Sequence, residues 1–459
     1  MATTSINIGL HTSSRLPTIS TSHQVQCGLL QLPTRKGTGA SLLASSFTGV
    51  SCRHREQKFF NPLCLRNGRN RRVSRQLRVE AVGAPVAVDP LTTAEGRALL
   101  AEEYGFRQIG EPVPAGVTLK NVIDSLPAEV FEINPWKAWK SVAITIAAYA
   151  LGIFWIAKAP WYLLPFAWAW TGTAATGLFV IGHDCAHKSF SKNKLLEDIV
   201  GTVAFLPLIY PYEPWRFKHD RHHAKTNMLV EDTAWHPIVR EEWDAFPGWV
   251  RSCLEYALGP LRPWASIGHW QMWHFDLKKF RPSEQNRVKI SIGAVLAFMA
   301  IGWPTIIYFT GVAGWVKFWL MPWLGYHFWM STFTMVHHTA PHIPFKDEKE
   351  WNSAAAQLGG TVHCDYPSWI EVLCHDINVH IPHHISQKIP SYNLRPATDA
   401  MRQRWGKHLN EASWNWRLMK TIMTQCHIYD EEKNYVALDE GFEESKVIGS
   451  LRKLMPEAM

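Results

Sequence analysis

Cysteine is scarce in this sequence, and its spacing follows no familiar pattern. The 459 residues contain eight cysteines, and no two of them stand as a Cys-x-x-Cys pair. The chain therefore has neither the ligand spacing of a zinc ribbon nor the framework of a disulfide-rich secreted domain. We expect the thiols to be reduced.

Acidic residues are absent from the first 55 positions, where serine, threonine and later arginine predominate. No apolar stretch follows an early basic one, which argues against a secretory signal. An acid-poor leader rich in serine and arginine is typical of an organellar transit peptide, and Val79-Glu80-Ala81 is similar to a plastid processing site. We predict a plastid transit peptide over residues 1–81; the alternative is a disordered basic tail. A soluble, proline-broken lead-in follows over residues 82–135.

Nucleic-acid binding has no support in the sequence. The formal net charge of +8 comes largely from the leader, and no RNA- or DNA-binding motif accompanies it. Net charge alone reports on solubility and association rather than on a specific partner.

Charged residues are also missing from four long runs in the middle of the chain. A membrane-spanning helix needs about 20 apolar residues, and the pairs are separated only by Lys158-Ala-Pro160 and by Lys317. This pattern predicts two helical hairpins. A fifth run, 199–212, is too short to cross and is expected to be interfacial or re-entrant. The four runs are Ser141–Ala157, Ala159–Gly182, Ile290–Val316 and Phe318–Val336.

These runs predict an all-α membrane protein with four transmembrane helices in two hairpins and a helical stromal cap. The membrane region covers residues 136–336, and the C-terminal region covers residues 337–459. The basic loop over residues 232–289 marks the stromal side by the positive-inside rule. Two complete hairpins place every histidine cluster described next on one face of the membrane.

Histidine, in contrast, is clustered. His219, His222 and His223 form an H-x-x-H-H pattern that recurs at His380, His383 and His384, and His183 and His187 are four residues apart. On a helix these spacings place the side chains on one face. Eight imidazoles exceed what one ion accepts, so we predict a two-metal site; the alternative is a set of solvated surface histidines. Asp184 and Asp220 are the expected hydrogen-bond partners of the rings.

The three clusters, with the spans between them, resemble the histidine boxes of membrane acyl-lipid desaturases. The flanking words Gly182–Phe190, His219–Asn227 and Val336–Pro344 are most similar to the plastid omega-6 (Δ12) branch. The resemblance implies that the eight box histidines bind two iron ions. It also implies a ligand after the fourth span, for which His338 and His342 match by position and by their helical i, i+4 spacing, whereas His337 faces differently.

The resemblance further implies an O₂-dependent desaturase that inserts a cis double bond at the omega-6 (Δ12) position of monounsaturated 16- and 18-carbon acyl chains on plastid glycerolipids. The sequence lacks both a His-Pro-Gly-Gly haem motif and a G-x-G-x-x-G fingerprint, so the electrons must come from a separate protein. The plastid setting and the resemblance imply that this donor is ferredoxin. The implied location is the chloroplast inner envelope, with the active site facing the stroma. The alternatives are a diiron hydroxylase, a desaturase of other regiospecificity, a non-enzymatic metal carrier and a bis-histidine haem protein.

The remaining histidines share no repeated spacing and are expected to be structural. Three tryptophans near the second box and the basic loop are expected to anchor at the membrane surface rather than to line an acyl channel. They are Trp215, Trp235 and Trp273.

Overall fold

A computed structural model describes residues 89–440 and 445–455 of the chain. The predicted transit peptide, residues 1–81, lies outside the described residues.

The described part of the chain is mainly helical. Its α-helices are α1 (Ala94–Tyr104), α2 (Leu119–Ile123), α3 (Pro135–Lys158), α4 (Leu164–Ala186), α5 (Lys194–Phe205), α6 (Tyr212–Lys225), α7 (Arg240–Ala245), α8 (Gly248–Leu258), α9 (Ser266–His274), α10 (Gln285–Trp315), α11 (Met321–His338), α12 (Ser353–Gly359), α13 (Ser368–Leu373), α14 (His380–Ile385), α15 (Leu394–Trp405), α16 (Trp416–Gln425) and α17 (Lys446–Leu454). The strands are β1 (Phe106–Gln108), β2 (Val362–Asp365), β3 (Asn410–Ser413), β4 (Ile428–Asp430) and β5 (Asn434–Val436).

The first predicted hairpin is formed by α3 and α4. The side chain of Asn134 caps α3 by accepting from the backbone N–H groups of Trp136 and Lys137, and Pro135 occupies the first helical position, where its missing N–H is harmless. The helix ends at Lys158 because Ala159 takes the extended conformation favoured before proline. After one short turn, α4 returns along α3.

The second hairpin is formed by α10 and α11, which belong to one apolar segment of 54 residues, Gln285–His338. Trp303 packs against Trp319 with ring centroids 5.0 Å apart, although a straight helix would separate these positions by about 24 Å. The chain therefore folds back, and Gly311 supplies the turn with a φ of 69°. The sequence predicted the reversal at Lys317, but the reversal lies six residues earlier, at Gly311. Lys317 lies in a π-helical segment that leads into α11.

The helices α4 and α11 pack closely at the centre of the bundle. A β-carbon on Gly172 would lie 2.7 Å from the Cα atom of Gly325, so only glycine lets the two backbones approach this far. This contact carries the ends of both helices, with His183 and His338, toward the same region.

Between the hairpins, α5 and α6 form a bent pair with an angle of 103°. The break lies at Leu206–Pro211, where two prolines interrupt the helix and Ile209 adopts a left-handed conformation with a φ of 50°. The bend agrees with the prediction of a re-entrant segment rather than a straight span, and it turns the second histidine box toward the first.

Among the remaining helices, α12 and α14 pack at the histidine-bearing ends, where Gln357 of α12 contacts His384 of α14. The prediction of a helical membrane protein is confirmed, and the described residues also include two small sheets. In the larger sheet, β3 pairs antiparallel with β1 and parallel with β2. These strands have only three or four residues, too few to show the two-residue periodicity by which strands are recognised.

Candidate metal centre

Three helix segments carry the predicted boxes. His183 lies in the last turn of α4 and His187 caps its C-terminus, while the second and third boxes lie within α6 and α14. The helical spacing inferred from the sequence is confirmed for the second and third boxes, because both H-x-x-H-H stretches are helical and present their rings on one side.

The box histidines converge into adjoining groups whose ligand nitrogens lie within 4.8 Å of one another. The first group is the larger and takes rings from all three boxes. The second group includes one ring from the end of α11. The third group joins the other two, because His380 lies close to His383 of the first group and to His384 of the second. The groups are His183, His187, His219, His223 and His383; His222, His338 and His384; and His380, His383 and His384.

The nitrogens of these rings point at one another rather than at ordinary hydrogen-bond partners. Nε2 of His380 lies 3.0 Å from Nε2 of His338 and 3.1 Å from Nε2 of His384. Both ring nitrogens of His183 and His187, and Nε2 of His383, are buried without any partner. Buried polar atoms are rarely left unpaired in native proteins. Convergent, unpaired imidazole nitrogens fit a site built for metal ions.

The outward nitrogens of several rings are held by neighbours, which leaves Nε2 directed inward. Nδ1 of His222 donates to the Asp232 carboxylate at 2.7 Å, and Nδ1 of His384 donates to Oε1 of Gln357 at 2.7 Å. Nδ1 of His380 faces the Ile377 carbonyl at 3.2 Å. Such partners fix the tautomer and orientation of a ligating ring.

The predicted carboxylate partners are different from the observed one. Asp220 pairs with Arg216 at 3.1 Å and is 41% exposed, because it lies on the outer side of α6. Asp184 lies 3.6 Å from Nδ1 of His183, which is beyond hydrogen-bond distance, and accepts from the Ser391 backbone N–H. No spacing in the sequence pointed to Asp232, which reaches His222 from a loop.

The protonation equilibria of the third box favour neutral rings. Burial, followed by the charge of neighbouring imidazoles, lowers the pKa of His380, His383 and His384 well below the usual range. Metal ions bind the neutral form of imidazole, so these rings need no deprotonation near pH 7.

His342 does not join the other candidates. The prediction assumed a helical i, i+4 relation with His338, but α11 ends at His338 and Thr339 is extended. His342 instead packs edge-on against Phe106, with ring centroids 4.8 Å apart, and burial lowers its pKa to about 4. His337, which was expected to face differently, stacks on His380 at 4.1 Å without entering any group.

A cavity of about 760 Å³ reaches the histidine groups. Its inner end is lined by His183, His222 and His338, and most of its wall is apolar. Such a shape suits a flexible hydrocarbon chain. The three tryptophans that were expected to anchor at the membrane surface rather than to line an acyl channel all line this cavity: Trp215, Trp235 and Trp273.

Some histidines outside the boxes also line the cavity, which their irregular spacing did not indicate. His269 contacts the Thr233 carbonyl at 2.9 Å and fixes α9 to the loop after the second box. Others make purely structural contacts, as predicted; His375, for example, pairs with the Thr145 hydroxyl at 2.6 Å. The cysteines at positions 185, 253, 364, 374 and 426 are all free, in agreement with the expectation of reduced thiols.

Comparison with known proteins agrees with this geometry. Residues 159–416 match the fatty acid desaturase family. The chain is 70% identical over 380 residues to the chloroplastic omega-6 fatty acid desaturase of Brassica napus, which covers 83% of this chain and 86% of the relative. It is 69% identical to the Arabidopsis thaliana protein of the same description, with coverage of 82% and 84%. It is 52% identical to the sn-1 oleoyl-lipid 12-desaturase of Synechocystis, with coverage of 74% and 94%. The chain therefore belongs to the fatty acid desaturase family.

Proposed function

We propose that the protein inserts a cis double bond at the omega-6 (Δ12) position of monounsaturated 16- and 18-carbon acyl chains carried by chloroplast glycerolipids. The observation that supports this proposal is the convergence of nine imidazoles, eight of them buried and that of His219 partly buried, at the inner end of an apolar cavity. The descriptions of the plant and cyanobacterial relatives support the regiospecificity and the chloroplast location.

Two iron ions are the proposed cofactor. Imidazole suits iron, and the groups offer more nitrogens than a four-ligand structural zinc site uses. The proposed ligands are the eight box histidines, His183, His187, His219, His222, His223, His380, His383 and His384, together with His338. Bound iron would supply the O₂-dependent oxidation that an unactivated methylene pair requires. Overall, the reaction consumes one O₂, two electrons and two protons per double bond and releases two waters.

The chain itself positions the substrate and excludes water. Phe179 and Trp215 form the cavity wall beside His183, with ring centroids 5.0 Å apart. These rings hold a tail close to the histidines without offering it a hydrogen bond. Asp232 and Gln357 keep two of the imidazoles in fixed orientation, so the site is organised before substrate binds.

The electron donor is proposed to be ferredoxin, and the site is proposed to face the stroma from the inner envelope. Exposed basic side chains on the loop over residues 232–289, including Lys278 and Arg281, could meet an acidic protein surface. In the same proposal, residues 1–81 are the transit peptide, 82–135 the lead-in, 136–336 the membrane region and 337–459 the stromal region.

The test is expression of the full chain in a cell that makes only monounsaturated acyl chains, followed by fatty-acid profiling. We expect 18:2 and 16:2 products with the new double bond at the omega-6 position. His383→Ala should abolish them while the protein still inserts into the membrane. Hydroxylated chains, or a new double bond elsewhere, would contradict the proposal.

A further inference from the structure

The helices α8 and α9 and the turn between them expose an apolar surface. On α8, Trp249, Cys253 and Tyr256 are spaced i, i+4 and i+7, so they share one face, and the two aromatic residues are 73% and 51% exposed. The surface continues through Leu261 to Met272, which are 53% and 61% exposed. Contiguous apolar surface of this kind marks a site of membrane or partner contact.

The part of this surface at the start of α9 lies beside a membrane span, away from the metal centre. The indole N–H of Trp264 donates to the Leu324 carbonyl at 3.2 Å, and the backbone N–H of Ser266 donates to the Ser331 hydroxyl at 2.9 Å. Leu324 and Ser331 precede His338 by 14 and 7 residues, which corresponds to about 21 and 10 Å along α11. The start of α9 therefore lies at the depth of the apolar helices, beside the hydrocarbon layer.

The cavity opens within this same surface. At its inner end the histidines are buried, whereas the lining residues with substantial exposure all belong to α8, α9 and their connection. They are Cys253, Leu261, Trp264, Ala265, Gly268 and Met272.

We propose that α8 and α9 frame a side opening through which the acyl tail of a membrane glycerolipid passes from the hydrocarbon layer into the cavity. The occupant rests on the proposed function, and the route goes beyond it. The headgroup stays at the bilayer surface, and only the tail reaches the histidines. The enzyme would then act on lipids in place, without lifting them out of the membrane.

The chemistry of the rim favours a lipid tail over a protein partner. None of the exposed lining residues carries a charge, whereas the rim of a protein interface is polar. Tryptophan and tyrosine are enriched where proteins meet the membrane interface.

Contacts with neighbouring elements hold α8 and α9 in place, so the opening is a fixed feature of the fold. Ser445 donates its hydroxyl hydrogen to Glu255 of α8 at 2.9 Å, and Ile448 of α17 is packed in one apolar cluster with Leu258. Ser266 at the start of α9 contacts Nδ1 of His327 on α11 at 2.8 Å.

Cys253 provides the test, because it is the exposed cysteine among those that the structure describes. Full-length protein in membranes is treated with a bulky maleimide, labelling is confirmed by mass, and desaturation and iron content are measured. We expect labelling of Cys253 to lower the desaturation rate at least about tenfold while iron content is unchanged. Two controls accompany this measurement. Cys253→Ser should have the same rate before and after treatment with the maleimide. The double variant Cys253→Ser with Lys433→Cys places the label on a remote exposed loop, and its rate should also be the same before and after treatment.

Stoichiometric labelling of Cys253 with an undiminished rate would overturn the proposed opening. A fluorophore on Cys253 gives a second measurement: brominated lipids should quench it, and aqueous iodide should not. Quenching by iodide alone would indicate a water-facing surface and would also overturn the proposal. Untreated protein that binds iron yet makes no omega-6 product would instead contradict the proposed function.

Discussion

The carboxylate of Asp232 accepts a hydrogen bond of 2.7 Å from Nδ1 of His222, and both side chains are buried. The same carboxylate accepts the backbone N–H groups of Asn227 and Ala234 at 2.8 and 2.9 Å. The loop therefore fixes the carboxylate, and the carboxylate fixes the ring.

Asp232→Asn should weaken metal binding, because the amide removes the charge that holds the His222 ring with Nε2 free. Changes to such outer partners typically lower metal affinity or activity about 10–100-fold. The measurement is iron per chain after purification together with the desaturation rate. Asp220→Asn is the matched control, since Asp220 pairs with Arg216 on the exposed side of α6, and it should keep its iron. Equal iron loss in both variants would contradict the role of Asp232.

His338 and His342 provide a second pair of variants. His338→Ala removes a nitrogen that lies 3.0 Å from Nε2 of His380. The affinity for iron should therefore fall by at least about tenfold, the lower end of what outer partners contribute, and less iron should be recovered with the purified protein. His342→Ala changes a ring packed on Phe106 outside the groups and should retain iron with some loss of stability. If His342→Ala lost its iron and His338→Ala kept it, the assignment of His338 as the ninth ligand would be wrong.

The grouping of the box histidines could be predicted because residues at positions i, i+3 and i+4 lie on the same face of a helix. The same rule failed for His342, since it assumes that the helix continues, and α11 ends at His338. Asp232 and Gln357 were not predictable at all, because each reaches its histidine through a loop or a neighbouring helix rather than by periodic spacing.

The two hairpins could also be predicted from the charge-free runs, but the position of the turn in the second hairpin could not. Lys317 interrupts the apolar run, yet one lysine near a helix end is accommodated, whereas Gly311 supplies a positive φ that other residues rarely adopt. The cavity is also invisible in the sequence, because its walls come from segments far apart in the chain.

Removal of the metal should destabilise the protein. Without ions, both ring nitrogens of His183 and His187 and Nε2 of His383 stay buried and unpaired. A ligand present at 100 times its dissociation constant stabilises the folded state by about 2.7 kcal/mol. A chelator should therefore lower the thermal midpoint in detergent, and added iron should restore both the midpoint and the desaturation rate. Zinc should restore the midpoint alone, because it has no redox chemistry. An unchanged midpoint after verified iron removal would argue against a metal-filled site.

The crossing of α4 and α11 should tolerate no side chain. In Gly172→Val the new β-carbon meets the backbone of Gly325 at 2.7 Å, so the helices must separate, and such overpacking typically costs about 1–3 kcal/mol. Because α4 carries His183 and α11 carries His338, the separation should also lower iron content, as well as the thermal midpoint. Gly293→Val on α10 is the matched control, since a β-carbon there meets nothing within 4 Å. If both variants unfold at the same temperature and hold the same iron, the close crossing does not set the geometry of the centre.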